Sequence, residues 1–420
     1  MFMISFFQYF KRWIIKYPVL KKNLKPLYKF IKNVYQHLPN KRKRIYFDIT
    51  SYSVTTSKTG IQRVVAKFLE YLPSIVGNEY ELICISGLDG YHIIDKDTFC
   101  AKRGYRLSPM KGDIYLSIDL NPVQPYQYWK TLEKWQKNGC KFIACVYDLV
   151  YIQYPKFVAD SDAVFLLSRW LKHVANNFEA LICISKSVEN ELKAWLSENF
   201  KNNNMEKRIS YFYLGSDFVS ENILQKDSTK FFFSEYIKKN IGFKFITVST
   251  IEPRKGYIEL IESFESASGH GANIILLIIG RVGWKCDDIV KKIITSNYYN
   301  KTLFWFSDCE NGVLNILYSM SDCYVSNSYY EGFGLGVIEA ANKGLPVLLR
   351  DIPVYREVSE NKARFFKNGE ELEKLFEKIP HEPNVFLREK KINSLTWKES
   401  VEMAWCAIKK GASFKSRYKG

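Results

Sequence analysis

No Asp or Glu occurs in the first 44 residues, although the same stretch holds twelve Lys or Arg and ends in Lys41-Arg42-Lys43-Arg44. Most of the formal +17 therefore belongs to an arm, and the remaining 376 residues carry only about +5. No Cys-x-x-Cys pair occurs among nine cysteines, several of which sit in apolar runs such as Leu82-Ile83-Cys84-Ile85. An odd number of buried-looking thiols points to a reducing compartment and away from a zinc site. The five histidines form no ligand spacing. The longest N-terminal apolar stretch, residues 1–10, is too short to cross a bilayer, and no small-residue cleavage site follows it, so neither a span nor a signal peptide is expected.

What is present is enough chain for two cores, with 420 residues and 47% hydrophobic content. In the arm, Phe2, Phe6, Phe10, Trp13 and Tyr17 fall on one helical stripe, and Leu20, Leu24, Leu27, Ile31, Val34 and Leu38 on another. A basic, aromatic-rich amphipathic helix suits an anionic membrane interface; packing on the first domain is the competing reading. From residue 45 onward, apolar runs alternate with helical patterns, the signature of parallel sheets covered on both faces. The expected organisation is a membrane-associating arm (1–44), a first α/β domain (45–215), a Lys-, Ser- and Asn-rich linker (216–242), a second α/β domain (243–394) and a last amphipathic helix (395–410). Two doubly wound, Rossmann-like domains would then face a cleft, with the loops after Val248, Ile279 and Val325 converging on one site.

Two motifs carry chemistry. After the strand ending at Val248, Pro253-Arg254-Lys255 places two adjacent cations on a stiffened loop, where Arg supplies a fork and Lys a point charge for a diphosphate. Further on, Glu331 and Glu339 flank Gly332-Phe333-Gly334-Leu335-Gly336 between an apolar run and a helix start. Such a loop presents backbone N–H groups to phosphate, while carboxylates accept from hydroxyls. A ligand with both hydroxyls and phosphate, a nucleotide-sugar, fits.

Residues 249–256, Gly280-Arg281-Val282-Gly283-Trp284 and residues 328–340 closely resemble glycosyltransferase family 4, as do Thr59-Gly60-Ile61-Gln62-Arg63-Val64, Tyr147-Asp148-Leu149 and residues 214–217. The resemblance runs from about residue 44 to 408, and residues 250–255 resemble members that transfer mannose or deoxysugars in bacterial surface polysaccharides. It implies the GT-B fold and a retaining transfer. By resemblance, Lys255 with Arg254 neutralises the leaving diphosphate, Glu331 contacts donor-sugar hydroxyls, and Glu339 binds the ribose. Backbone groups of Gly332, Phe333, Gly334 and Leu335 close on sugar and phosphate, while Gly60 approaches from the first domain. Thr250 stands where many relatives carry Arg, and Tyr147 precedes the acidic Asp148 where many have His.

Asp160-Ser161-Asp162 and Asp95-Lys96-Asp97 match a metal-binding Asp-x-Asp pattern, but the first reads as a helix N-cap and the second as a polar turn. No metal and no resident cofactor are expected; the nucleotide-sugar, GDP-linked among the candidates, is a co-substrate. The expected partners are that donor, a lipid-linked saccharide acceptor and an anionic membrane surface on the cytoplasmic side, without nucleic acid. The rival reading is a non-catalytic basic α/β protein that binds nucleic acid or anionic lipid, which leaves the paired glutamates and Arg254-Lys255 unexplained.

Overall fold

The computed structural model describes residues 42–55, 59–102, 107–200, 208–216, 241–307, 309, 311–386 and 392–413. The stripes of the arm and most of the linker expected over 216–242 lie outside the described residues.

Uninterrupted apolar segments build two sheets. The first contains β1 (Lys43–Asp48), β2 (Tyr80–Ser86), β3 (His92–Ile93), β4 (Ile114–Ser117), β5 (Lys141–Val146), β6 (Ala180–Cys183) and β7 (Ile209–Tyr211), in the order β3-β2-β1-β4-β5-β6-β7. Only the short edge strand β3 runs antiparallel to its neighbour. The second contains β8 (Phe243–Val248), β9 (Ile274–Ile279), β10 (Leu303–Phe306), β11 (Cys323–Ser326), β12 (Val347–Arg350) and β13 (Arg364–Phe366), in the order β10-β9-β8-β11-β12-β13, parallel throughout. Each sheet changes winding direction once, between β1 and β4 and between β8 and β11. Those are the points where loops leaving the strand ends open a crevice.

β1 starts at Lys43 rather than Ile45, so the last two residues assigned to the arm belong to the sheet. The Arg44 amide donates to Asp113 Oδ1 at 2.9 Å, which ties the charged start of the strand to the sheet.

The helices that position the cleft are α1 (Gly60–Val76), α2 (Ser161–Asn177), α3 (Lys186–Asn199), α4 (Tyr257–Gly269), α5 (Leu335–Asn342), α6 (Pro353–Val358), α7 (Gly369–Lys378) and α8 (Trp397–Ala412). Thr396 and Glu399 form a reciprocal capping box that starts α8, after the second sheet is complete. The helix then packs on the first sheet: Ser400 donates to the Tyr213 carbonyl at 2.6 Å, and Trp405 meets Tyr80 edge-on at 5.2 Å. Val401, Ala404 and Ile408 are buried in the same core as Ile45 and Phe47.

Candidate active site

Because β8 and β11 are paired neighbours, the loops leaving them lie side by side. Arg254 and Lys255 occupy a 3-10 turn directly after β8, and Glu331 lies in the loop after β11. The loops are bonded to each other: the Tyr329 amide donates to the Arg254 carbonyl at 2.8 Å, and Arg254 Nη1 donates to the Tyr330 carbonyl at 3.1 Å. Arg254 Nη1 pairs with Glu331 Oε2 at 2.8 Å while its Nε faces Glu252 Oε1 at 2.6 Å, and Lys255 pairs with Glu331 Oε1. Ser328 adds a hydrogen bond to Glu331 at 2.9 Å. Burial alone would raise the Glu331 carboxyl, but Lys255 and Arg254 overcome it and hold the group down at about 2. Glu252, only 1% exposed, has burial as its leading influence and is pushed up, with Arg254 and Lys255 opposing. The loop after β9 joins the pair, since the Ile251 amide donates to the Arg281 carbonyl at 2.8 Å and the Gly283 amide to the Ile251 carbonyl at 2.9 Å. Thr250 is exposed on the same loop.

Glu339 sits on α5, its carboxylate 6% exposed, and accepts from Tyr318 at 3.5 Å. Gly334, at φ 93°, enters the left-handed region and turns the chain into that helix. Gly332 is a glycine for another reason: a Cβ there would lie 2.1 Å from the Tyr147 carbonyl oxygen. Its own carbonyl accepts from Ser185 Oγ at 2.7 Å, so this part of the loop is pressed onto the first sheet. Phe333 is buried and packs toward Tyr213. Gly60 comes within reach of Leu335, whose Cδ1 would be 3.5 Å from a Cβ at that position.

Further contacts tie the two sheets together beneath the site. Tyr330 accepts from the Leu149 amide at 2.9 Å and donates to Glu191 at 2.6 Å. The Glu357 carboxylate of α6 accepts from the Lys186 and Ser187 amides at 2.6 and 2.7 Å, placing a negative charge on the N-terminus of α3. On the far rim, Trp284 Nε1 donates to the Phe157 carbonyl at 2.7 Å, and Phe157 stacks on Tyr329 with ring centroids 5.8 Å apart. Asp148, at the end of β5, has its carboxyl raised by burial, with Arg254 the strongest opposing charge.

With this geometry in place, residues 228–393 match the family model for glycosyl transferases group 1. The chain carries a glycosyltransferase group 1 domain. Relatives extend beyond the domain: the serotype-specific mannosyltransferase WbdA of Escherichia coli is 29% identical over 378 residues, covering 86% of this chain and 46% of WbdA. The chain thus spans about half the length of that relative. The O-antigen chain mannosyltransferase RfbU of Salmonella typhimurium is 24% identical over 340 residues, covering 75% of this chain and 85% of RfbU. Among solved structures, Anabaena HepE in complex with UDP-glucose aligns at a TM-score of 0.56 with 12% identity, over 87% of this chain and 95% of HepE. WaaG, a glycosyltransferase involved in lipopolysaccharide biosynthesis, aligns at 0.52 with 14% identity, over 85% and 94%. The fold is GT-B, and the group 1 domain contributes the second sheet with Arg254, Lys255, Glu331 and Glu339.

The structure gathers Arg254, Lys255, Glu331 and Thr250 at one switch point, with Gly332 to Leu335 beside it and Gly60 and Glu339 at the α1–α5 junction. Three participants escaped the sequence reading. Glu252 lies inside the cation motif and was passed over, and Glu191, which accepts from Tyr330, and Arg63, which pairs with Glu339, reach across from first-sheet helices at sequence distances no local pattern reveals. Of the two Asp-x-Asp matches, Asp160 caps α2 by accepting from the Ala163 amide at 2.7 Å, and Asp95 accepts from the Asp97 and Thr98 amides at 3.1 Å in a turn. The histidines share no ligand spacing in the sequence, but folding brings His270 Nδ1 to 2.7 Å from Glu377 and 3.5 Å from Glu373. This trio, the one group of three possible metal ligands among the described residues, is formed by the end of α4 and by α7. Since α4 leads away from the switch point and ends just before β9 begins, the trio lies at the opposite edge of the sheet.

Proposed function

We propose that this chain is a glycosyltransferase that moves a hexose, mannose or a deoxysugar, from a nucleoside diphosphate donor to a lipid-linked saccharide in surface-polysaccharide synthesis. The observation that carries the reading is the junction of Arg254 and Lys255 with Glu331 at the β8–β11 switch point, beside the helix that holds Glu339. The printed names of WbdA and RfbU support mannose as the sugar. In the proposed complex the diphosphate lies against Arg254 and Lys255, the ribose diol donates to Glu339, and sugar hydroxyls reach Glu331.

Transfer breaks the bond between the anomeric carbon and the diphosphate oxygen, which keeps the electron pair. The acceptor oxygen bonds to the same carbon from the same face, and its proton passes to the departing phosphate, giving retention. Stabilising the developing charge on the diphosphate is then the main task, and fixed cations perform it without a resident metal. Residues 1–42 hold the enzyme at an anionic cytoplasmic membrane surface where the lipid-linked acceptor resides. Among the described residues no helix is long and apolar enough to cross a membrane.

A panel of nucleoside diphosphates and their sugars tests the reading by thermal stabilisation and transfer. At least one diphosphate is expected to raise the melting temperature, with transfer from its sugar surviving EDTA. Stabilisation by oligonucleotides alone would favour the non-catalytic basic protein, and complete loss of activity in EDTA with recovery on adding manganese would refute metal independence.

A further inference from the structure

One ion pair crosses the cleft at the carboxylate assigned to the ribose. Arg63, on the first turn of α1, pairs through Nη1 with Oε1 of Glu339, and its side chain is 41% exposed against 6% for the carboxylate. The other Glu339 oxygen faces Tyr318 at 3.5 Å. A ribose diol donates two hydrogen bonds to one carboxylate, so it competes with this guanidinium for Oε1. The pair is lopsided in a useful way. Glu339 is buried and needs a partner, whereas Arg63 retains solvent access and can leave without being stranded.

Its surroundings indicate where it goes. Gly60, at the start of α1, approaches Leu335, at the start of α5, so Arg63 stands where two helix N-termini meet. Arg254 and Lys255 already face Glu331, and Arg254 also faces Glu252. Thr250, exposed on the same loop, offers no charge. Of Arg63, Arg254 and Lys255, Arg63 has the most exposed side chain, 41% against 17% and 10%.

Resting on the donor reading above, we propose that Arg63 holds Glu339 until the donor's ribose diol replaces it, and that the released guanidinium then pairs with the donor diphosphate. Arg63 thus couples filling of the ribose seat to delivery of a third cation from the first sheet.

The proposal predicts opposite responses to two ligands that differ only in phosphate. Calorimetry or NMR titration of the full chain, using the nucleoside diphosphate that binds wild type and the corresponding bare nucleoside, reads it. In Arg63→Gln the nucleoside should bind more tightly, because the diol meets an uncontested carboxylate, and the diphosphate less tightly. The affinity advantage of the diphosphate should shrink about tenfold. Arg63→Lys, which keeps the charge, should restore most of that advantage. Equal shifts of both ligands in one direction would show that Arg63 only braces the two sheets, and no shift in either would remove it from the site; both overturn the proposal. If wild type binds none of the nucleoside diphosphates, the donor reading itself has failed, a result separate from either.

Discussion

The two sheets wind alike, yet their switch points carry opposite chemistry. At the ends of β1 and β4 stand Asp48 and Asp119, both buried and surrounded by hydroxyls and amides: Asp48 accepts from Tyr115 at 2.6 Å and Tyr91 at 3.2 Å, and Asp119 from the Tyr52 amide at 2.8 Å. Burial pushes Asp119 up to about 7. At the ends of β8 and β11 the carboxylate of Glu331 is also buried, but two cations hold it at about 2. Topology supplies a crevice in both places; only side chains decide that one of them suits a diphosphate.

Removing the cation should break this contrast most severely. Lys255→Ala is expected to lower kcat by about 10²–10³, the ~3–4 kcal/mol typical of losing a transition-state electrostatic partner, while the protein stays folded by circular dichroism. Wild-type turnover in the folded variant would count against the assignment. Gly332→Ala acts on the joint between the sheets, because its Cβ would meet the Tyr147 carbonyl at 2.1 Å. Overpacking of this kind costs about 1–3 kcal/mol, so the melting temperature should fall and turnover with it. Unchanged values of both would mean that the glycine loop is not pressed onto the first sheet.

The smallest expected effect sharpens the other side of the comparison. The Asp119 carboxyl titrates near 7 when folded and near 3.9 when unfolded, so between those values the native state holds more protons and wild-type stability declines as pH rises. Asp119→Asn removes that decline. It should be more stable than wild type at pH 8, with the gain fading toward pH 4. Denaturant titrations at the two pH values check it, and a gain that grows toward acid would show that the carboxylate is stabilised by its surroundings instead.

Most of the frame was legible because it depends on local pattern. The runs 274–279 and 80–86 are long and apolar, and they became β9 and β2 with those bounds. Strands β3 and β13 leave no such signal: one has two residues, and the other is three residues opening with Arg364, too short for periodicity to register. At the site, Arg254, Lys255, Glu331 and Glu339 could be read because loop and helix chemistry lies within a few residues of each. Arg63 and Glu191 could not be tied to them, since their partners are fixed only when one sheet docks on the other. Gly332, expected from its loop to offer its backbone to the donor, must in addition admit the neighbouring Tyr147 carbonyl, a demand visible only once the sheets have docked.

The central claim is that the second switch point, and not the first, binds the nucleotide. Calorimetry of the best-binding nucleoside diphosphate with wild type, Glu339→Ala and Asp119→Asn tests it most directly. The account predicts that Glu339→Ala loses at least tenfold in affinity, as expected for hydrogen bonds to a charged carboxylate worth ~1.5–3 kcal/mol, while Asp119→Asn binds as wild type does. Full affinity in Glu339→Ala together with loss in Asp119→Asn would place the nucleotide on the wrong sheet and contradict the account.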